Sequence, residues 1–221
     1  MHKIIEIDNA KDWLNIRSQG IGGSDAAAII GKNPYKSNLE LWREKTGRKK
    51  PDDISNVDAV YYGKKAEEPL RQIFMLDYPQ YVLKYEPFNI HCNSQYDFIR
   101  GTFDGELITK MTKVDLVGLL EIKTTEIRQQ KDWQKWNNRV PDNYFCQVLH
   151  YFAIDTEYKF CKLKAQIKHY DENEEVIHTT KHYHFDREKF KEDIEYLINE
   201  EIKFYWYIEN DKEPPLRLPE I

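Results

Sequence analysis

The stretch "LLEIKTT", Leu119 to Thr125, has the make-up of a buried strand, yet it carries a carboxylate and an ammonium two positions apart. Side chains on a strand alternate between faces, so Glu121 and Lys123 project to one side and Leu120, Ile122 and Thr124 to the other. Two opposite charges on one face of an apolar strand are costly unless something there uses them. Seventeen positions before Glu121, Asp104 closes a strand-like run in "GTFDGEL" and is followed by Gly105, which lets the chain turn. If the two strands are neighbours, Asp104 and Glu121 converge beside Lys123. Two carboxylates at one strand end make a hard-oxygen site for Mg²⁺ or Mn²⁺, and the backbone carbonyl of Ile122 is the natural further donor. Lys123 would then hold and help deprotonate a water while the cation offsets phosphate charge, so D…E-x-K points to metal-assisted phosphodiester hydrolysis. The bland alternative is a cross-strand ion pair on an exposed edge.

Outward from that strand, the centre of the chain is rich in β-branched and aromatic residues. "QYVLKYEPFNIHC" (80–92), "YDFIRGTFDGELI" (96–108) and "DLVGLLEIKTT" (115–125) predict an antiparallel group of strands, with a turn at "TKMTKVD" (109–115). The N-terminal region reads as helical. Residues 9–18 place Trp13, Leu14 and Arg17 near one face, and "GIGGSDAAAIIG" (20–31) reads as a glycine turn, Ser24 as N-cap, a short helix and Gly31 as its stop. "KSNLELWREKTG" (36–47) has Ser37 as cap, Glu40 completing a capping box and Gly47 at the end. A helix over 58–77 must place Pro69 near its start or kink there. Further on, "PDNYFCQVLHYFAID" (141–155) predicts a helix opened by Pro141, residues 158–170 and 175–185 two strands around "DENEE", and residues 186–210 a long closing helix. The order implies an α/β (α+β) fold with a central mixed sheet flanked by helices. With no repeat or Gly/Ser linker, one domain over 1–221 is expected: a helical region over residues 1–78, a sheet core over 79–185, and a C-terminal helix and tail over 186–221.

Composition narrows the class. The 221 residues are 40% hydrophobic and 32% charged, and no apolar run approaches the roughly 18 residues of a membrane span. The start lacks a secretory layout, so no membrane association and a cytoplasmic location are expected. Cys92, Cys146 and Cys161 have no metal-ligand spacing, which suits reduced thiols. A net charge of −5 argues against a protein coated in positive charge, but phosphate contacts need only a local basic groove.

At this point the chain resembles the lambda-type exonucleases, or YqaJ-like viral recombinases, of the PD-(D/E)xK nuclease superfamily, with a restriction-endonuclease-like core. The resemblance runs from Arg17 to Phe152 through separate motifs in order: "RSQGIGGSDAAAIIG", "YGKKAEEPL", "GTFDG", "LEIK" and "YFCQVLHYFAI". It implies that Arg17 and Ser24 hold a DNA 5′-phosphate and that Glu67 joins Asp104 and Glu121 at the metal site. It further implies that Gln147 approaches the active site and end phosphate, and that Thr102 stands where relatives place a phosphate-binding serine. Phe103 replaces the proline of the superfamily's name. The implied activity is Mg²⁺-dependent digestion of linear duplex DNA from its ends, 5′ to 3′, leaving a 3′ tail for recombination, with one or two ions. The implied partners are DNA ends, a single-strand annealing protein and other copies of the chain in a ring of three, in a bacterial or phage-infected cytoplasm.

Plainer readings stand beside these. Arg17 and Ser24 fit a helix-surface arginine and an N-cap, although a glycine turn feeding a helix N-terminus also offers free N–H groups to an anion. Glu67 fits a solvated helix charge, with Glu68 its competitor for any metal role, and Gln147 fits a buried, satisfied amide. His178, His182 and His184 share a strand face, where an exposed polar strand is the simpler account than a second metal site. Trp133 and Trp136, in "KTTEIRQQKDWQKW", suit either a DNA-tracking surface or core packing. Two other functions remain open on the same residues: a structure-selective or restriction-like endonuclease, and a DNA-end-binding module without catalysis.

Overall fold

The computed structural model describes residues 2–110 and 115–218. The chain runs β1 (Lys3–Ile5), α1 (Ala10–Ser18), α2 (Gly23–Ile29), α3 (Asn38–Lys45), α4 (Asp58–Asp77), β2 (Tyr81–Lys84), β3 (Ile90–Cys92), β4 (Arg100–Gly101) and β5 (Gly105–Thr109). It continues through β6 (Val117–Glu126), α5 (Asp142–Ile154), β7 (Tyr158–Tyr170), β8 (Val176–Asp186) and α6 (Lys191–Glu209). Residues 111–114, where most of the expected turn falls, lie outside the described residues.

Five strands form the main sheet in the order β2-β5-β6-β7-β8, and β1-β3-β4 form a smaller one. The expected antiparallel group pairs β2 with β5 and β5 with β6, and the mixing enters at β7, which runs parallel to β6 from Gly118 opposite Phe160 to Glu126 opposite Lys168. Parallel neighbours need a crossover, and α5 is that crossover. The sheet is therefore mixed, with helices packed on it.

The two faces of β6 have separate work. Leu120 and Ile122 face α4 and join Leu70, Phe74, Tyr81, Leu107 and Phe160 in one apolar cluster. Leu119 faces α5 and belongs to the larger cluster of Phe152, Ile154, Leu163 and Leu197. A side chain at Gly63 would come within 3.1 Å of the Thr124 hydroxyl, so glycine there lets α4 lie close on β6. Helix α4 runs unbroken through Pro69, which leaves the Lys65 carbonyl without its intrahelical donor.

One local expectation changes. The N-cap of α2 is Gly22, not Ser24; Asp25 at the third helical position accepts the Gly22 N–H at 3.0 Å, so the box closes two residues earlier. The three strand histidines form no cluster: His178 stacks on Tyr62, His182 edges onto Tyr78, and His184 pairs with Asp186. Trp136 is buried against Tyr144 and Tyr183, which assigns it to the core. All three cysteines are buried and free, and no helix among the described residues is long and apolar enough to cross a membrane.

Candidate active site

The main sheet ends unevenly. Pairing between β5 and β6 stops at Gly105 opposite Leu120, while β6 continues alongside β7 to Glu126. The last residues of β6 therefore have no β5 neighbour on one edge, and a cleft of about 420 Å³ opens there. Asp104, just before β5, fills part of the gap: its Oδ2 accepts the Ile122 N–H at 2.7 Å. On an extended strand a residue's N–H and C=O point to the same edge, so the Ile122 carbonyl faces the same side.

Glu121 and Lys123 form an ion pair through Glu121 Oε1. Glu121 is only 2% exposed, and its Oε2 is buried with no hydrogen-bond partner among the described residues. Lys123 also lies 5.0 Å from the centre of the Tyr144 ring. Burial, then the charges of Glu121 and Glu67, push the Asp104 carboxyl well above its ordinary value, against the pull of Lys123. Burial likewise raises Glu121, with Lys123 opposing. Burial works to depress Lys123, but Glu121 and Asp104 outweigh it and hold the ammonium above its usual range.

Helix α4 supplies a second carboxylate–cation pair. Glu67 Oε1 accepts from Arg71 at 2.5 Å, Arg71 donates through Nε to the Asp104 carbonyl at 2.7 Å, and its guanidinium lies 3.5 Å over the Tyr85 ring. Arg71 thus fixes both Glu67 and the backbone that carries Asp104. Glu68 is exposed and turned toward Gln72 instead.

Helix α5 forms another wall. Gln147 donates to the Tyr151 hydroxyl at 2.6 Å, which donates to the Thr102 carbonyl at 3.0 Å. Burial and the charges of Glu121 and Asp104 hold the Tyr151 phenol well above its ordinary value, so it remains a donor. The start of α2 packs directly on this pair: a Cβ at Gly23 would fall 2.7 Å from Tyr151 and 2.9 Å from Gln147. The preceding loop is stitched to the small sheet by Ile21 N–H to the Phe98 carbonyl at 2.6 Å and Arg100 N–H to the Ile21 carbonyl at 2.9 Å. Lys45 fastens the same turn, at 2.8 Å from Asp25 and 2.6 Å from the Gly20 carbonyl. These contacts set the end of α1 at the cleft, where Arg17 lies 5.0 Å over the Trp13 ring.

Of the residues to which the sequence points, Arg17, Glu67, Thr102, Asp104, Glu121, Ile122, Lys123 and Gln147 line this one cleft. Ser24 does not; it is exposed on the first turn of α2. Arg71, Tyr144 and Tyr151 are site residues that the sequence does not single out, although both tyrosines lie within "YFCQVLHYFAI". The available signal is helical spacing: Arg71 lies four residues after Glu67, and Tyr144 and Tyr151 flank Gln147 at three and four.

The donor chemistry fits a hard divalent cation: a buried, unpartnered carboxylate oxygen stands beside a second carboxylate whose charge burial disfavours. Several carboxylates compressed into a cleft with one lysine is an arrangement that a cation would relieve.

A family model described as the YqaJ-like viral recombinase domain matches residues 12–159. Uncharacterized protein YqaJ of Bacillus subtilis (strain 168) is 32% identical over 143 residues, which is 65% of this chain. The chain spans about two fifths of that relative's length, 41%. The structure is similar to that of an alkaline exonuclease, LHK-Exo, from Laribacter hongkongensis, with a TM-score of 0.60 at 14% identity over 91% of this chain and 94% of that one. A structure of LHK-Exo in complex with dAMP matches with a TM-score of 0.58 at 15% identity over the same shares, 91% and 94%. At these identities the likeness is one of fold.

Proposed function

The chain belongs to the YqaJ-like viral recombinase domain family, and from that premise we propose that it is a divalent-metal-dependent deoxyribonuclease acting on the ends of linear duplex DNA. The direction in this proposal is 5′ to 3′, leaving a 3′ single strand for recombination. The observation that carries it is the buried, unpartnered Oε2 of Glu121 in a cleft shared with Asp104, Lys123 and an arginine.

Asp104 and Glu121, with the Ile122 carbonyl and Glu67, are the donor set for one or two Mg²⁺ ions, Mn²⁺ being an equivalent hard cation. When bound, the cation supplies charge neutralisation and polarisation at the scissile phosphate. Lys123, paired to Glu121, orients the attacking water in line with the phosphodiester. Arg71 holds Glu67 and the Asp104 backbone, and so keeps two donors in register. Arg17 presents a fork of N–H groups suited to a terminal 5′-phosphate, with Thr102 and Gln147 in the same cleft. A pocket for a free phosphate distinguishes an enzyme of ends from one that cuts internally. A ring of three subunits around DNA, an annealing partner for the 3′ strand and a cytoplasmic setting belong to the same proposal.

The test is incubation of linear duplexes, with and without 5′-phosphate, beside supercoiled plasmid, in Mg²⁺ or in EDTA. The expected result is loss of the phosphorylated linear duplex alone, and only with Mg²⁺. Nicking of the plasmid, or equal rates on both kinds of end, would replace an end-directed enzyme with an endonuclease.

A further inference from the structure

A second group of ligand side chains lies away from the cleft, where the small sheet meets the main one. His2 precedes β1, His91 lies on β3 and Glu106 on β5, and one donor atom from each falls within 4.8 Å of the others. We propose that His2, His91 and Glu106 bind one transition-metal ion of the zinc class, separate from the hard cation of the proposed nuclease site.

The geometry around the three residues supports this. His2 Nε2 and His91 Nδ1 face each other at 2.7 Å. The far side of the His2 ring is committed: Nδ1 donates to Asp155 Oδ2 at 2.7 Å, and the same oxygen accepts the His2 backbone N–H at 2.8 Å. That fixes the tautomer with the Nε2 lone pair aimed at His91, the arrangement in which a carboxylate orients a metal-binding imidazole. Glu106 is steadied by the buried Tyr158 hydroxyl, which donates to Oε1 at 2.7 Å. Two imidazoles and one carboxylate, with room for water, form a donor set that favours zinc-class ions over Mg²⁺. His91 and Glu106 border a surface cleft of about 380 Å³, which provides entry and an open coordination position.

Binding relocates one proton within His91 and releases none. The proton now shared between the rings leaves His91 Nδ1, and His91 adopts its Nε2–H tautomer, so both rings stay neutral and present lone pairs. The two nitrogens open from 2.7 Å to about 3.3 Å, the span of two Zn–N bonds at a tetrahedral angle. Such an ion would cross-link the small sheet to β5 two residues beyond Asp104, with the Phe103 ring between, 4.5 Å from His91 and 5.0 Å from Tyr151. Its role is to brace the strand that carries Asp104.

The experiment is Co²⁺ titration of the untagged protein followed by visible absorption, then displacement by Zn²⁺. One equivalent with tetrahedral d–d bands is expected, retained in Asp104→Asn/Glu121→Gln and lost in His91→Gln. His2→Gln tests the same site without altering β3 and should lose the bands while keeping its circular dichroism. At a hundredfold excess over Kd, Zn²⁺ should raise the wild-type Tm by about 5–10 °C and leave His2→Gln unmoved. No stoichiometric Co²⁺ binding, or bands unchanged in His2→Gln, would reduce the three residues to a hydrogen-bonded network and overturn the site.

Discussion

Glu121 on β6 and Glu201 on α6 are both buried, both pair through Oε1 with a cationic side chain, and among the described residues both leave Oε2 without a partner. Their surroundings differ. Glu201 meets His150, whose Nδ1 faces the carboxylate at 2.6 Å and whose Nε2 faces the Arg100 carbonyl at 2.8 Å. Both partners are acceptors, so the ring is best satisfied as an imidazolium. Burial works against that charge, but Glu201 overrides it and raises the His150 pKa. Glu121 instead shares its cleft with Asp104 and Glu67, whose charges add to one another. An orphaned oxygen alone does not mark a cation site; an orphaned oxygen among like charges at an open cleft does. One pair ties α5 to α6, and the other is set for chemistry.

Exchanging each glutamate for its amide separates the two sites most strongly. Glu121→Gln should lower DNA hydrolysis by at least about 10³-fold and leave the Tm nearly unchanged, because it removes charge from a crowded site. Glu201→Gln should leave the rate per folded molecule within about threefold, yet cost about 3–5 kcal/mol by stranding a buried imidazolium, read as a Tm lower by roughly 6–20 °C. Equal effects on rate from the two variants would erase the distinction.

Metal-free stability against pH separates the same regions. The Asp104 carboxyl has a folded pKa above its ordinary 3.8, so ionising it costs the folded state, and stability falls as pH rises from about 3.8 through the folded value. Asp104→Asn should reduce that fall, leaving the part due to Glu121, whose carboxyl burial also raises. The His150 imidazolium has a folded pKa above its ordinary 6.5, so its contribution is complete below about 6.5 and is lost as pH rises through the folded value. His150→Gln should abolish this second fall and leave the first. Urea denaturation across pH reads both.

Smaller effects test the walls of the cleft. Gly23→Ala places a methyl 2.7 Å from Tyr151, and should cost about 1–3 kcal/mol of stability with a lower kcat/KM. Arg17→Ala should reduce the preference for 5′-phosphorylated ends on the order of 10–100-fold, the worth of charge-assisted hydrogen bonds. Ser24→Ala, at an exposed position, should change stability by less than about 0.5 kcal/mol and the end preference least of all.

Much of this is legible from side-chain alternation. Glu121 and Lys123 share a face of β6, and Asp104 meets that strand at Ile122, as the D…E-x-K spacing implies. The parallel pairing of β6 with β7 is not legible, because a strand buried on both faces reads alike in either direction; only the helix between them hints at a crossover. The α2 cap lies two residues before Ser24, since Gly22 and Ser24 both suit that position and the deciding contact is the Asp25 carboxylate. Arg71 gives only the weak signal of its i,i+4 spacing from Glu67, because a helix arginine looks solvated until the turn at Asp104 brings a backbone carbonyl to it.

The most direct test is calorimetric titration of Mn²⁺ into three proteins, each carrying His91→Gln so that only the cleft is read: the otherwise unaltered chain, Glu121→Gln and Glu201→Gln. Mn²⁺ should bind the first and third with the same affinity and at least about a hundredfold more weakly to Glu121→Gln, as expected for losing a ligand carboxylate. Mn²⁺ binding that is indifferent to Glu121 would contradict that role.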